Sequence, residues 1–241
     1  MLKFKTFNIQ ETKISLEYHD ELNPKLWDGD KLKPEIREKL LKFGDAWAEF
    51  AKLDKSSIQD IIMTGGNANY NYTPKSDIDV HLVVDRDKIA ACSRDFVDEY
   101  LQDKKVLWTL THKISVLGYP IEPYAQDIHG EYPANQGVYS LKNDKWLKHP
   151  NKGQYDWNHD PALKRKVLFY MKLIDHIIDA KMDDASVNDL KTKIREMRAA
   201  SIAAGGEFSF ENLVFKELRN RGYLDKLNDY QLSKKDKELS L

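Results

Sequence analysis

Alternating apolar and polar positions predict two strands near the middle of the chain. The first covers residues 58–64 and ends at a pair of glycines. The second begins close to Asp77, and its side chains point alternately to opposite faces. Asp77, Asp79 and His81 therefore share one face, and the apolar residues between them share the other. This pattern predicts a strand with a polar front and a buried back.

The two aspartates on the polar face predict a metal site. They stand two residues apart, so a strand brings their like charges close together. Holding two carboxylates close is unfavourable unless a cation neutralises them, and carboxylate oxygens are good ligands for divalent ions such as Mg²⁺. We therefore expect a divalent ion at Asp77 and Asp79.

Apolar residues at alternating spacings of four and three predict helices on either side of these strands. One helix begins near Pro34, and its apolar stripe, which ends near Phe50, is typical of core packing. A second helix is expected over residues 86–102. Residues 106–118 are expected to form one or two strands, or a short helix followed by a strand.

A further strand is predicted over residues 121–127, after a Gly-Tyr-Pro turn. Its alternation places Glu122, Tyr124 and Gln126 on one face. Pro123 has no N–H to donate, so it predicts that this strand lies at a sheet edge or is about to leave the ladder.

The C-terminal part of the chain carries the periodicity of three helices. The first follows Pro161, which is a typical helix start. The second is expected to begin at Ser186, with Asp189 as its capping partner. The third is expected to begin at Ser209 and to end near Gly222.

These elements predict an α/β (α+β) protein with a small mixed sheet, flanking helices and a helical C-terminal region. The weak alternation near the N-terminus is expected to form a strand or an ordered arm, and the charged tail over residues 233–238 is expected to fray. The expected parts are an N-terminal arm and helix over 1–55, a strand-bearing core over 56–130, a connection over 131–155 with one short strand at 137–141, and a helical region over 156–241.

Composition narrows the class of protein only modestly. The 241 residues carry a formal net charge of −1, so no overall basicity indicates a nucleic-acid-binding protein. The single cysteine, Cys92, excludes an internal disulfide framework and a cysteine-rich zinc site; it suits a reducing compartment and is expected to be a small buried residue. No apolar run approaches the ~18 residues of a membrane span. We expect a soluble cytoplasmic protein without a membrane partner.

The glycine pair and the aspartate pair together form a more specific motif than either alone. Gly65 and Gly66 follow a predicted strand, where glycine lets the backbone approach a ligand and turn its N–H groups toward phosphates. The segment 76–79, Ser-Asp-Ile-Asp, begins ten residues after Gly66. This arrangement resembles the signature of the DNA polymerase beta-like nucleotidyltransferase superfamily.

The resemblance implies a nucleotidyltransferase core over residues 56–130 and a third carboxylate on a later strand. Glu122 is the candidate, because it lies inside its predicted strand. Asp85 lies about 20 Å beyond Asp79 along an extended strand, too far to share metal ions ~4 Å apart. Asp127 remains an alternative, at the end of the strand that contains Glu122.

The resemblance also implies a reaction. A nucleoside monophosphate would pass from an NTP such as ATP to an acceptor hydroxyl, with release of pyrophosphate. Asp77 and Asp79 would hold one Mg²⁺ or Mn²⁺ ion, and the same pair with Glu122 would hold a second. Glu122 would also accept the proton of the attacking hydroxyl.

The nucleotide would be held by the glycine turn and its neighbours. The resemblance implies that backbone N–H groups at Gly65 and Gly66, together with the Ser76 hydroxyl, orient the phosphates. Asn67 is expected to belong to the same nucleotide-binding group. Gly66 stands where many members of the superfamily have a serine whose hydroxyl helps to hold a terminal phosphate, although Gly-Gly pairs also occur among them.

Further segments resemble predicted nucleotidyltransferases encoded by tailed phages, which implies action in the cytoplasm of a bacterial host. The resemblance names no acceptor, so an RNA end, a protein and a small molecule all remain open. A non-catalytic nucleotide- or RNA-binding module on the same fold is the alternative, and synthesis of a signalling oligonucleotide is a third interpretation. The resembling segments are residues 22–27, 67–72, 124–127 and 206–212.

Other polar residues have both a functional and a structural interpretation. His81 could touch substrate or brace a carboxylate, or it could be a hydrogen-bonded strand histidine. The asparagines and tyrosines of residues 67–72 could line a nucleotide pocket or form a polar loop with partly buried rings. Basic residues on the last two predicted helices could contact a triphosphate or nucleic acid, or be solvated: Lys191, Lys193, Arg195, Arg198, Lys216, Arg219 and Arg221.

Overall fold

The computed structural model describes residues 13–89, 94–132, 136–153 and 156–240. The expectations for the first twelve residues and for Cys92 lie outside these ranges. The chain divides after Glu17 and after Gly153 into two compact units. The chain between these points forms one of them, here called the sheet unit, and the two flanking segments form the other, here called the helical unit.

Within the described residues, the sheet unit contains eight strands and two α-helices. The strands are β1 (Trp27–Asp28), β2 (Lys31–Leu32), β3 (Ile58–Thr64), β4 (Ile78–Val84), β5 (Ser115–Val116), β6 (Tyr119–Asp127), β7 (Val138–Ser140) and β8 (Lys145–Lys148). The helices are α1 (Pro34–Phe50) and α2 (Arg94–Thr111). β1 and β2 form a separate pair, and the other strands form one mixed sheet in the order β5-β6-β4-β3-β7-β8. The predicted α/β fold class is confirmed.

The mixed character of the sheet comes from β4 and β6, which run parallel, whereas its other paired strands are antiparallel. Parallel neighbours need a crossover connection, and α2 lies within the one that joins them. The short β5 pairs with Tyr119 and Pro120. β5 therefore does not extend as far as Pro123, and the outer edge of β6 has no paired strand at Pro123 among the described residues. This is the edge-like position that the missing N–H of Pro123 predicts.

One face of the sheet is buried under α1 and α2. On β4 this face carries Ile78, Val80 and Leu82, which are at most 1% exposed. Burial of such an apolar side chain contributes about 1.5–3 kcal/mol, so the back of β4 is firmly held. The helices pack onto it with the buried residues Ile36, Leu40, Phe43, Trp47, Val97, Leu101 and Trp108.

The opposite face of the sheet, here called the open face, has buried apolar residues at one end. A small apolar cluster of Ile62, Val83 and Val138 lies there, with Ile128 and Tyr132 packed against it. The segment that follows β6 supplies the last two residues, so it folds back over this end of the face. The other end, nearer the glycine pair, carries the acidic residues.

The helical unit contains α3 (Pro161–Asp179), α4 (Asp184–Gly205), α5 (Phe210–Asn220) and α6 (Tyr223–Leu239). α3 begins where the sequence predicts, because the Asp160 side chain accepts the N–H groups of Ala162 and Leu163. α4 begins earlier than predicted: Asp183, not Ser186, is its cap and accepts the Ser186 N–H at 2.9 Å. None of the described helices is long and apolar enough to cross a membrane.

Three other boundaries differ from those predicted. α2 lies later than residues 86–102 because a separate short 3₁₀ turn occupies Arg86–Lys88. β8 adds an edge strand inside the expected connection, where its alternately exposed side chains give little apolar signal. The tail expected to fray is helical and belongs to α6, which buries Leu227.

Candidate active site

Three carboxylates converge at one end of the open face. Asp77 directly precedes β4, Asp79 lies within β4, and Glu122 lies within β6. One carboxylate oxygen from each residue lies within 4.8 Å of the others, and all three residues are half-buried. This acidic group could hold a metal ion. The convergence predicted from the sequence is therefore present.

Strand register sets the distance between two of these side chains. Asp79 is the direct ladder partner of Glu122 on the parallel strand. Such partners lie about 5 Å apart and point to the same face of the sheet. Ile78, Val80 and Leu82 of β4 are buried in the core. If the pairing of β4 shifted by one residue, these apolar side chains would turn toward the open face. The core thus fixes the spacing of the carboxylates.

Gly65 lets the backbone lie directly against Asp79. Its φ is +76°, in the left-handed region that favours glycine. A Cβ added to Gly65 would overlap Oδ2 of Asp79 and lie 2.7 Å from its Cγ. The missing side chain therefore provides the space that the Asp79 carboxylate occupies.

The turn after Gly65 offers a backbone donor beside the carboxylates. A short 3₁₀ helix spans Gly66–Ala68, and its first internal bond joins the N–H of Ala68 to the carbonyl of Gly65 at 3.1 Å. N–H groups that precede the first internal bond have no partner within a helix. Asn67 is fully buried, so the N–H of the partly exposed Gly66 is the donor that this turn can offer to an anion.

The Asn67 side chain connects the glycine turn to the residue that precedes β4. Its side chain is fully buried and donates to the carbonyl of Asp77 at 2.8 Å. Its Oδ1 accepts a hydrogen bond from Asn23, and its backbone carbonyl accepts one from the Trp27 indole, both at 2.8 Å. The structure thus shows Asn67 as a positioning residue, whose side chain is committed to protein groups.

Ser76 also has a structural contact. Its side chain is buried, and its Oγ accepts the N–H of Thr73 at 2.9 Å. A Cβ added to Gly66 would lie 3.0 Å from that same Oγ. Ser76 therefore closes the loop before β4 and packs against the glycine turn.

Lys105 places a cation beside the third carboxylate. Its Nζ lies 3.8 Å from the Glu122 carboxylate and 5.2 Å from the centre of the Tyr124 ring. Lys105 belongs to α2, 17 residues before Glu122 in the chain. The sequence pattern gave no signal for this pair, because the contact depends on how α2 packs against β6.

His81 continues the polar face of β4 beyond the carboxylates. Its Nδ1 lies 3.2 Å from Oε1 of Gln126, and its ring lies 4.9 Å from that of Tyr124. Although the ring keeps some exposure, desolvation by its surroundings lowers the pKa of His81 to about 4. His81 is thus a neutral, hydrogen-bonded strand histidine at neutral pH.

The two alternative carboxylates lie at the opposite end of β4. Asp85 follows β4, caps the 3₁₀ turn and pairs with Lys88 at 3.2 Å. Asp127 is the ladder partner of Val84 and lies 3.5 Å from Arg86. Neither belongs to the group of converging carboxylates among the described residues, so the choice of Glu122 agrees with the geometry.

The polar loop over residues 67–72 is largely committed to protein contacts. Asn69 donates to the Gly65 carbonyl at 2.6 Å and accepts the N–H of Gly137 at 2.9 Å. Tyr72 stacks on His19, with ring centres 3.9 Å apart. These contacts favour the interpretation of a polar loop with partly buried rings.

Several basic residues of the helical unit are engaged within that unit. Lys216 pairs with Glu207, and Arg221 pairs with Glu217. Arg198 donates to Asn212 at 3.0 Å and lies 4.3 Å above the centre of the Phe215 ring. Their structural interpretation is therefore supported.

The site as a whole brings together three carboxylates, a glycine turn and a neighbouring lysine. The three carboxylates could hold a divalent cation. Compared with protein-family models, curated proteins and solved structures, the chain matches none of them.

Proposed function

We propose that this protein is a metal-dependent nucleotidyltransferase of the DNA polymerase beta-like superfamily. It transfers a nucleoside monophosphate from an NTP to an acceptor hydroxyl and releases pyrophosphate. The observation that carries the proposal is the convergence of Asp77, Asp79 and Glu122 beside Gly65, whose missing side chain makes room for one of the three carboxylates. The proposed metal ligands and the proposed phosphate-binding turn thus lie side by side.

The donor set fits a hard divalent cation. All three ligands are carboxylates, which suit Mg²⁺ or Mn²⁺, whereas thiolates and imidazoles would favour other metals. Two ions ~4 Å apart are the usual arrangement for in-line phosphoryl chemistry. Asp77 and Asp79 would hold one ion, and the same pair with Glu122 would hold the other. When bound, these ions would neutralise phosphate charge and lower the pKa of the acceptor hydroxyl.

The chain's own groups then have distinct tasks. The N–H of Gly66 binds a phosphate oxygen. Asn67 holds that turn beside β4 through its hydrogen bond to the carbonyl of Asp77, and the Ser76 side chain packs against Gly66. Glu122 accepts the proton that the acceptor hydroxyl loses. The acceptor is an RNA end, a protein or a small molecule.

An assay for label transfer tests this function. Purified protein is incubated with each α-labelled NTP, Mg²⁺ or Mn²⁺, and cell extract as the source of acceptor. We expect pyrophosphate release and a labelled product for at least one NTP. Asp79→Asn should lower the rate by about 100-fold or more, because charge stabilisation in the transition state supplies factors of that size.

Asp103→Asn is the matched control, because Asp103 is an exposed aspartate on α2 of the same unit. It should retain the wild-type rate. Equal rates for wild type, Asp79→Asn and an Asp77→Ala/Asp79→Ala double variant would contradict catalysis. Metal-dependent NTP binding without product would instead favour a non-catalytic binding module.

A further inference from the structure

A cavity of about 400 Å³ lies on the open face, beside the acidic group. Thr64, which is part of its lining, is the ladder partner of Asp79. Tyr124, also in the lining, stands two residues after Glu122 on the same face of β6, a step of about 7 Å. A molecule in this cavity can therefore reach the carboxylates with one end.

The cavity has an apolar floor and neutral hydrogen-bonding groups around it. Ile62 and Val138 supply the floor, since both belong to the apolar cluster of the open face. A floor of this kind suits the flat side of a ring better than a chain of polar groups. Tyr124 is 42% exposed, and it forms an aromatic wall of the cavity on the side of Glu122.

Two side-chain pairs hold polar groups at fixed positions in the wall. Oε1 of Gln126 lies 3.2 Å from His81, and Oε1 of Gln136 accepts a hydrogen bond from Thr64 at 3.2 Å. In each pair the glutamine uses its oxygen, so the amide NH₂ is left to donate to a ligand. The wall thus offers neutral donors to a hydrogen-bonding edge.

The charges around the cavity do not favour an anion. Arg86 is the only arginine or lysine in its lining as far as the described residues go. Its two terminal guanidinium nitrogens lie 2.7 and 2.9 Å from the carboxylate oxygens of Asp98, and its Nε lies 3.5 Å from Oδ2 of Asp127. Glu131 adds a further negative charge to the lining. A phosphate or carboxylate would meet net repulsion here, so an uncharged group is the better fit.

We propose that this cavity binds the acceptor, and that the acceptor is a small molecule with an uncharged, hydroxyl-bearing ring, either a nucleoside or a cyclic polyol. The inference rests on the proposed function and narrows its acceptor class. The acceptor oxygen forms a bond to the α-phosphorus of the NTP while the bond from that phosphorus to pyrophosphate breaks. The hydroxyl proton passes to Glu122 and then to water.

Ligand-observed saturation-transfer NMR tests this site with adenosine, uridine and myo-inositol as probes. Wild-type protein should bind at least one probe saturably. Gln126→Leu and Gln136→Leu, made separately, should each weaken that binding about fivefold, the effect of one lost neutral hydrogen bond. Gln59→Leu, an exposed glutamine on β3, is the matched control and should bind like wild type. Thermal melts establish that each variant folds.

Two further measurements separate this inference from the proposed function. Mn²⁺-dependent binding of a fluorescent ATP analogue should be equal in wild type and both glutamine variants, because the cavity is not the proposed phosphate site. Label transfer to the bound probe should show the same variant dependence as probe binding.

The three probes distinguish a nucleoside acceptor from a cyclic polyol acceptor. Saturable binding of nucleosides but not inositol assigns a nucleoside, and the reverse assigns a polyol. No saturable binding of any probe, or equal binding by wild type and both glutamine variants, overturns the inference, as does exclusive labelling of RNA or protein. A protein that binds no NTP with Mn²⁺ refutes the proposed function itself, and the separate nucleotide measurement reveals that case.

Discussion

Gly65 combines a left-handed backbone conformation with a carboxylate where its side chain would be. Together these two features tie this glycine to the position of the Asp79 carboxylate. Asn67 reinforces this arrangement by joining the turn to the backbone of Asp77. At the scale of single residues, the positions of the carboxylates therefore depend on two residues outside the acidic group: Gly65, which leaves room for Asp79, and Asn67, which is bonded to Asp77.

Replacement of Gly65 tests this dependence. Gly65→Ala should weaken Mn²⁺ binding about 10–100-fold, the usual cost of disturbing a group that orients a metal ligand. The reason is that the new methyl group must displace the Asp79 carboxylate. Mn²⁺ binding is measured by electron paramagnetic resonance.

Gly118→Ala is the control for this substitution. Gly118 also has a positive φ, +86°, but a Cβ there meets nothing within 4 Å. Both variants should lose about 1–2 kcal/mol of stability from backbone strain. Only Gly65→Ala should lose metal affinity, and equal affinities of the two variants would contradict the proposed role of Gly65.

The sequence was more informative about the metal ligands than about their supports. Alternation along two strands sufficed to place Asp77, Asp79 and Glu122 on polar faces. The contact between Asn67 and Asn23 spans 44 residues, and no local pattern encodes it. Its physical basis is burial, because amide groups without water must find partners in the protein.

At the scale of elements, the parallel pairing of β4 with β6 decides the site. It makes Asp79 and Glu122 direct neighbours, and the crossover through α2 brings Lys105 to the same place. A lysine this close to a carboxylate competes with a metal ion for its negative charge.

Removal of this lysine should therefore strengthen metal binding. Lys105→Gln should bind Mn²⁺ about threefold more tightly, a modest effect because both side chains are partly exposed and water screens the pair. Titration of Mn²⁺ by calorimetry measures the change. Lys113→Gln, an exposed lysine just after α2, should leave the affinity unchanged. Weaker binding by Lys105→Gln would indicate that Lys105 supports the metal site in another way.

Element boundaries show where sequence patterns lose information. Periodicity predicted α1 well because its buried stripe is continuous. It missed β8 and α6, since β8 exposes every second residue, α6 exposes most of its residues, and both bury too few apolar residues to create a period. α4 was placed too late because two capping residues, Asp183 and Ser186, stand close together and the carboxylate takes the cap.

At the scale of the whole molecule, the helical unit is assembled from both ends of the described chain. Glu217 on α5 is fully buried, and its carboxylate accepts hydrogen bonds from the backbone and hydroxyl of Ser15. Arg221 supplies the compensating charge at 2.6 Å. Four-residue spacing on a helix could suggest the ion pair, but the partner 202 residues away is visible only in the structure.

Neutralising Glu217 should destabilise the protein. Glu217→Gln should lower the free energy of unfolding by about 1.5–3 kcal/mol, the value of hydrogen bonds to a charged group. Glu196→Gln, an exposed glutamate on α4, should change it little. Urea unfolding followed by circular dichroism compares the two variants. An unchanged midpoint for Glu217→Gln would mean that the buried contacts contribute no net stability.

The most direct test of the metal-dependent transferase is anomalous scattering from crystals grown with Mn²⁺ and an NTP analogue that resists cleavage at the α-phosphorus. We predict two Mn²⁺ peaks ~4 Å apart among Asp77, Asp79 and Glu122, with the triphosphate against the Gly65–Gly66 turn. No peak at these carboxylates at saturating Mn²⁺, or a triphosphate bound away from the turn, would contradict the account.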